Sequence, residues 1–367
     1  MIMLEVADPT ILVSLLTGFL GSGKTTLLNR LLKRSDMGET AVLVNEFGDI
    51  GIDHSLVETV DESMVMLTTG CLCCAVQGDL ARALRELFIR RVKGLVPEFR
   101  RVVIETTGLA DPAPILHTLL NDPVVANRFQ LDSVITTVDA THGRGQLDRH
   151  LEACKQAAVA DRIVMTKTDL ADAAAMDALA ARIDAINPGA PIIRAAHGDV
   201  APERLFGAGL YRPEAKSFDV QDWLHEEAFR GRAPHEHGSR HDHDHTHEEH
   251  DHATHRHDDI EAFCLVRHEA IEWPAFVAWM QTLITHRGEN LLRVKGIVNI
   301  TGESQPIVIH GVQHVLYPPV RLTRWPNGDR RTRIVFITRG LERRIVENSL
   351  EILQQAARDQ AGAQPLP

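Results

Sequence analysis

Residues 18–25 read G-F-L-G-S-G-K-T and match the phosphate-binding loop pattern G-x-x-x-x-G-K-[ST] at every fixed position. The motif follows an apolar segment and precedes a helix-like one, the context in which glycine-rich loops wrap phosphates with backbone N–H groups. Lys24 is predicted to reach the β- and γ-phosphates, and the Thr25 hydroxyl to hold Mg²⁺. The alternative is an incidental glycine turn.

Two acidic segments follow other predicted strands. In N-E-F-G-D-I-G-I-D (residues 45–53), Glu46 and Asp49 would support Mg²⁺, directly or through water, or orient the attacking water; a plain acidic turn is the equal alternative. In I-E-T-T-G-L-A-D-P (residues 104–112), Glu105 is predicted to sense the Mg²⁺-bound water and the γ-phosphate, the alternative being a helix-capping turn. Neither segment identifies the group that positions the water.

The tetrapeptide T-K-T-D at residues 166–169 follows the predicted strand Arg162–Thr166, where a nucleotide-binding sheet places its base pocket. GTPases commonly carry N-K-x-D here. Asp169 would accept hydrogen bonds from the guanine edge, and Lys167 would lay its stem on the base. Thr166 replaces the usual Asn, which predicts a weaker bracing hydrogen bond. The pattern favours GTP over ATP; a solvated loop that caps the next helix is the alternative.

Cys71, Cys73 and Cys74 lie in the sequence G-C-L-C-C, directly after a short predicted strand. Thiolates bind Zn²⁺ tightly, and a structural zinc site normally has four protein ligands. Three local cysteines leave a coordination position open, which suits exchange of the metal with another protein. Cu(I) also fits thiolates, and small buried cysteines are the alternative without a metal.

Ten of the 20 histidines lie between residues 235 and 257, interleaved with acidic residues. Neutral imidazoles in such a segment bind Zn²⁺, Ni²⁺ or Co²⁺, with modest affinity because ordering a mobile chain costs entropy. We interpret the segment as a metal reservoir or delivery arm with weak secondary zinc sites, against the alternative of a solvated linker. The first six of these ligands are His235, His237, His241, His243, His245 and His247.

The composition limits the function classes. The 367 residues are 44% hydrophobic, and 39 basic against 50 acidic residues give a net charge of −11. This balance argues against a nucleic-acid binder. There is no run of 18 apolar residues and no basic leader at the N-terminus, so we expect neither membrane contact nor secretion, and a cytoplasmic location. The oligomeric state stays open, with a homo-oligomer among the options.

Short apolar runs alternate with helical patterns, which predicts an α/β fold with a mostly parallel, doubly wound sheet. The predicted strands are Ile11–Thr17, Ala41–Asn45, Met64–Leu67, Arg101–Thr106, Ser133–Asp139, Arg162–Thr166 and Ile192–Ala195. The predicted helices are Lys24–Lys33, Asp79–Val92, Pro112–Leu120, Leu147–Ala158 and Asp172–Ile186.

A polar linker separates this region from a smaller α+β domain. We predict a nucleotide domain over residues 1–225, a His-rich flexible linker over 226–259, a C-terminal domain over 260–358 and a tail over 359–367. The later strands are predicted at Glu261–Arg267, Leu291–Asn299, Ile307–His310, Val312–Arg324 and Arg331–Thr338, with helices at Trp273–Thr285 and Leu341–Arg358.

The ordered set of G-F-L-G-S-G-K-T-T, N-E-F-G-D-I-G-I-D, G-C-L-C-C, E-T-T-G-L-A-D-P and T-K-T-D resembles the CobW family of P-loop GTPases. N-L-L-R-V-K-G at residues 290–296 and the strands after it resemble that family's C-terminal domain. The resemblance implies that the cysteines bind metal and that Lys167 and Asp169 face guanine. It also implies a set of phosphate contacts: Gly18, Gly21, Ser22, Gly23, Lys24, Thr25 and Thr26.

By this resemblance the chain is expected to be a GTP-hydrolysing metallochaperone. It would hold zinc at the C-x-C-C cysteines and transfer it to a client metalloprotein. A GTPase that handles cobalt or activates nitrile hydratase is one alternative, since Co²⁺ fits the same residue types. A P-loop small-molecule kinase and a nucleotide-independent metal buffer or sensor are the others.

Overall fold

The structure is a computed structural model that describes residues 10–45, 56–61, 64–69, 76–207 and 259–362, together with Leu224 and Phe229. Two sheets organise these residues. The first has strand order β3-β4-β2-β5-β1-β6-β7-β8, and every pairing in it is parallel except the antiparallel pair β3–β4. The predicted α/β fold with a mostly parallel sheet is confirmed.

The strands of the first sheet are β1 (Ile11–Gly18), β2 (Thr40–Asn45), β3 (Leu56–Asp61), β4 (Met64–Thr69), β5 (Arg101–Glu105), β6 (Phe129–Asp139), β7 (Arg162–Thr166) and β8 (Ile192–Arg194). The accompanying helices are α1 (Lys24–Leu32), α2 (Val76–Val92), α3 (Ala113–Asn121), α4 (Pro123–Ala126), α5 (Gly143–Arg149), α6 (Leu151–Ala158) and α7 (Ala173–Ile186).

The central strands β1, β5, β6 and β7 are buried along most of their length, as expected for a parallel sheet covered on both faces. The single predicted helix Leu147–Ala158 is wrong, because the chain is extended at His150 and α5 ends at Arg149. The His150 ring stacks on Phe19, with 4.6 Å between ring centroids. A contact distant in sequence thus accompanies the break.

The second sheet is antiparallel and belongs to the C-terminal domain. Its elements are β9 (Ile260–Arg267), α8 (Trp273–Arg287), β10 (Leu291–Val298), β11 (Ile307–Val312), β12 (Val315–Leu316), β13 (Val320–Arg321), β14 (Thr332–Arg339) and α9 (Arg343–Gly362). The single strand predicted over Val312–Arg324 is wrong: the chain turns at Gln313, whose φ is +50°, and the rest of that range contains the two short strands β12 and β13.

One hydrophobic cluster joins the two domains. Ala153 and Ala157 of α6 share it with Leu292 and Ile297 of β10. Beside it, the buried carboxylate of Asp161 contacts two cationic side chains of β10, which lie at alternate positions and therefore on one face of the strand. The C-terminal domain is thus packed directly on the part of the chain that contains the first sheet.

Candidate functional site

The phosphate loop lies between β1 and α1 and keeps a shape that only glycine permits at its first position. Gly18 has φ +143°, and a Cβ there would overlap the hydroxyl and carbonyl oxygens of Thr137. Lys24 begins α1 and is buried; its Nζ donates to the carbonyl of Gly18 at 2.8 Å and to that of Phe19 at 3.2 Å. Burial lowers the pKa of Lys24, which the nearby carboxylate of Glu105 partly offsets.

Thr25 and Glu105 are brought together across 80 positions of sequence. Thr25 Oγ1 donates to Glu105 Oε1 at 2.6 Å. Glu105 ends β5, which pairs in parallel with β1, so the carboxylate lies at the edge of the sheet from which the phosphate loop emerges. The two oxygens form the kind of donor set that Mg²⁺ prefers.

Hydroxyl groups brace the phosphate loop from the neighbouring strands. Ser22 Oγ and Thr137 Oγ1 are 2.6 Å apart, and Thr166 Oγ1 donates to the Ser22 carbonyl at 2.7 Å. A second acceptor for Thr166 is the carbonyl of Val138, at 3.3 Å. Thr166 therefore braces the phosphate loop through a hydrogen bond to its backbone.

The predicted base pocket contains a residue that no sequence motif indicated. Lys167 has φ +54°, and its Nζ donates to Asp139 Oδ2 at 2.7 Å. Burial would raise the pKa of Asp139, but hydrogen bonds from Lys167 and Thr141 outweigh it and lower the pKa to about 2. Asp169 accepts from the backbone N–H of His197 at 3.4 Å. Since Asp139 ends β6, its place at the end of a predicted strand was the available signal.

The segment between β5 and α3, residues 106–112, is called the Gly108 loop below. A Cβ at Gly108 would lie 2.6 Å from the backbone nitrogen of Leu20, so this loop packs directly on the phosphate loop. Gln156 of α6 is fully buried and donates to the carbonyls of Gly108 and Ala110 at 3.2 and 3.0 Å. The loop is therefore held in contact with the phosphate loop by a helix.

The ends of three strands meet beside Glu105. Val44 of β2 is in register with Glu105, and Asn45 is in register with Thr69 of β4. In the sequence, Glu46 directly follows Asn45, and Cys71 lies two residues after Thr69. The strands that precede the two motif segments, β2 and β4, thus end on the side of the sheet that holds Thr25 and Glu105.

Several predicted site residues lie outside the described part of the chain. They are Glu46, Asp49, Cys71, Cys73, Cys74 and the histidines His235, His237, His241, His243, His245 and His247. Within the described residues, no group of three or more His, Cys, Asp or Glu side chains is arranged to hold a metal ion. Cys154 and Cys264 are buried thiols there, and burial raises the pKa of Cys154 to about 11.

Comparison with known proteins gives two domain matches. Residues 12–194 match the CobW/HypB/UreG nucleotide-binding domain, and residues 260–353 match the cobalamin synthesis protein CobW C-terminal domain. The chain belongs to the CobW family. The resemblance predicted from the motifs is confirmed, and residues 12–194 form a nucleotide-binding domain.

Relatives of this CobW-family chain are similar over most of its length. Zinc chaperone YjiA of Escherichia coli K12 is 33% identical over 83% of this chain and 87% of its own. Zinc chaperone CobW of a Sinorhizobium species is 28% identical over 82% and 84%. The crystal structure of Zn(II)-bound YjiA GTPase from E. coli superposes with a TM-score of 0.67 at 28% identity, covering 94% of this chain and 99% of that one.

Among the described ranges, no helix is both long and apolar enough to cross a membrane.

Proposed function

We propose that this chain is a GTP-hydrolysing metallochaperone that binds Zn²⁺ at Cys71, Cys73 and Cys74 and transfers it to a client metalloprotein. The observation that carries the proposal is the shared end of the sheet, because β4, the strand that precedes the cysteine segment in sequence, ends two strands from the predicted γ-phosphate sensor Glu105. The two relatives named zinc chaperones, matched over more than 80% of this chain, support the same conclusion.

The described residues provide parts suited to nucleotide hydrolysis. Lys24 is held at the loop carbonyls, where its ammonium would neutralise phosphate charge. The oxygens of Thr25 and Glu105 are suited to Mg²⁺ and would hold it beside the phosphate loop. When bound, the ion would neutralise negative charge on the nucleotide phosphates. Gly108 follows Glu105 by three residues and packs on Leu20 of the phosphate loop, which brings the Gly108 loop close to the expected position of the phosphates.

Base selection would rest on Asp169 and Lys167. Asp169 is a carboxylate that would accept hydrogen bonds from the guanine edge, and adenine offers no matching pair of donors. Asp139 fixes the Lys167 ammonium, leaving the lysine stem to lie along the base. These contacts support GTP as the nucleotide.

Coupling between metal and nucleotide would follow from the shared sheet edge. A γ-phosphate contact at the Gly108 loop would favour one arrangement of the neighbouring segments, and hydrolysis would remove that preference. The cysteines would then hold zinc more tightly in one nucleotide state than in the other. The histidine segment would act as a weaker reservoir that raises the local zinc concentration.

The decisive experiment measures steady-state GTP turnover against buffered free Zn²⁺ in a variant lacking residues 235–257, which removes the weak histidine sites. The proposal predicts a saturable change in the rate that Cys73→Ser abolishes. Cys154→Ala is the matched control, because it removes a thiol that burial keeps protonated and leaves the zinc response intact. A turnover rate that does not change with Zn²⁺ concentration contradicts the coupling between metal and nucleotide. Absence of GTP turnover contradicts the GTPase assignment.

Transfer and metal choice need a separate measurement. Zinc-loaded protein is mixed with a competing zinc probe in the presence of GDP or of a non-hydrolysable GTP analogue, and the release rates are compared. Equal rates in the two states contradict nucleotide-driven transfer. The turnover titration described above, repeated with Co²⁺, decides between the zinc and cobalt alternatives. A tighter cysteine site for Co²⁺ than for Zn²⁺ would favour a cobalt-handling GTPase.

A further inference from the structure

Asp111, at the end of the Gly108 loop, is bonded by residues from both domains. Lys155 Nζ of α6 donates to Asp111 Oδ2 at 2.8 Å. Gln313 Nε2 of the C-terminal domain donates to the same carboxylate, at 3.1 Å to Oδ2 and 3.4 Å to Oδ1. The backbone N–H of Ala113 also donates to Oδ1, at 3.0 Å, at the start of α3. The carboxylate therefore joins the loop to two helices and to the second domain.

Asp111 is ionised when it accepts these bonds. Partial burial would raise its pKa, but the hydrogen bond from Lys155, the backbone N–H of Ala113 and the Gln313 amide together lower it. A charged acceptor strengthens each of these hydrogen bonds.

Gln313 is held in an unusual conformation at this contact. It occupies the two-residue turn between β11 and β12 with φ +50°, a region that is sterically costly for a residue with a Cβ. Its backbone N–H donates to the Leu291 carbonyl at 2.7 Å, which fixes the turn against the start of β10. The amide that reaches Asp111 therefore projects from a well-anchored position.

The contact is linked to the nucleotide site through packing. Lys155 is followed in α6 by Gln156, whose amide binds the carbonyls of Gly108 and Ala110. Gly108 has no room for a Cβ against Leu20 of the phosphate loop. A shift of Asp111 would therefore move backbone that touches the phosphate loop.

We propose that Gln313 is a positioning residue for GTP turnover, through which the C-terminal domain holds the Gly108 loop against the phosphate loop. It acts through Asp111 and does not itself touch the nucleotide. The inference rests on the proposed GTPase function and adds that the docked C-terminal domain sets the hydrolysis rate.

The test compares GTP turnover by the full chain and by three variants at Gln313, two of which change the charge at this contact. Gln313→Ala removes the donor and is expected to lower kcat roughly fivefold, with KM for GTP nearly unchanged. Gln313→Glu is expected to lower kcat further, because it faces the Asp111 carboxylate with a like charge. Gln313→Lys keeps a hydrogen-bond donor at this position and is expected to keep kcat near that of the parent.

Gln355→Ala is the matched control, because that exposed glutamine bonds to Asp359 within α9, on a helix surface away from the Asp111 contact. A double variant adds Asp111→Asn to Gln313→Ala, and the proposal predicts less than additive loss because both act on one contact. Equal kcat in the parent and all Gln313 variants overturns the proposal, as does equal loss in the lysine and glutamate variants. A parent without GTP turnover instead refutes the proposed function itself.

Discussion

Replacing Asp161 by Asn tests what fixes the C-terminal domain to the nucleotide-binding domain. Asp161 Oδ1 pairs with Arg293 and lies 3.1 Å from Lys295 Nζ, while Oδ2 accepts the Val134 N–H at 2.9 Å. The side chains of Asp161, Arg293 and Lys295 are 6%, 3% and 10% exposed. Asn keeps the shape of the carboxylate but removes the negative charge that faces the two buried cations.

The expected loss follows from that burial. Removing one partner of a buried ion pair costs about 3–5 kcal/mol in free energy of unfolding. Burial and the charge of Arg293 lower the pKa of Lys295 to about 8, so this lysine can release its proton when Asp161 is neutralised. Release of this proton reduces the loss of stability, so we expect Asp161→Asn to lower the free energy of unfolding by about 3 kcal/mol at pH 7.

Urea unfolding followed by circular dichroism measures this loss by linear extrapolation. Asp177→Asn is the matched control, because Asp177 pairs with Arg194 at 3.2 Å with side chains 74% and 56% exposed. Such an exposed pair contributes about 0–1 kcal/mol. If Asp161→Asn loses no more than this control, the buried cluster does not stabilise the domain contact. Adding Arg293→Met to Asp161→Asn should recover part of the loss, because it removes an uncompensated charge.

Two further predictions concern single ionisable groups. Asp139→Asn removes the carboxylate that holds Lys167 and should weaken GTP binding about tenfold, as expected for the loss of a charge-assisted hydrogen bond. Calorimetry measures the affinity and should show little change for ATP. An equal loss of affinity for both nucleotides would contradict a role in base recognition. Lys295 has a pKa of about 8 in the folded chain, against 10.5 for an unperturbed lysine. Between these pH values the unfolded chain binds more protons than the folded chain. The free energy of unfolding should therefore rise with pH across that window, by about 1–3 kcal/mol. Lys295→Met should remove this rise. If the variant kept the pH dependence of the parent, the assignment of the rise to Lys295 would be refuted.

Much of the nucleotide-binding sheet was predictable because its strands are continuous apolar runs. β7 has the predicted bounds Arg162–Thr166, and β1 extends the predicted strand by one residue to Gly18. The prediction missed β3, the strand that pairs antiparallel at the edge of the sheet, and the four-residue helix α4. Short elements and edge strands carry too few residues for a clear hydrophobic period.

The residues of the site were predictable where a local sequence motif indicates the role of each one. Lys24, Thr25 and Glu105 were chosen from local patterns, and the structure brings them to one edge of the sheet. Asp139 was not found, because a single aspartate at a strand end resembles many turn residues. The roles of the cysteines, of Glu46 and Asp49, and of the histidines remain predictions, since those residues lie outside the described ranges.

By itself, the sequence determined the family, the parallel sheet and the phosphate loop, because these depend on residues that are close in the chain or repeat with a simple period. Only the tertiary structure decided that Thr166 braces the loop, that Asp139 holds Lys167 and that Gln313 reaches Asp111. Each of these contacts joins residues 28 to 202 positions apart. Local preference cannot specify such pairs, because the packing of whole strands and domains sets which side chains meet.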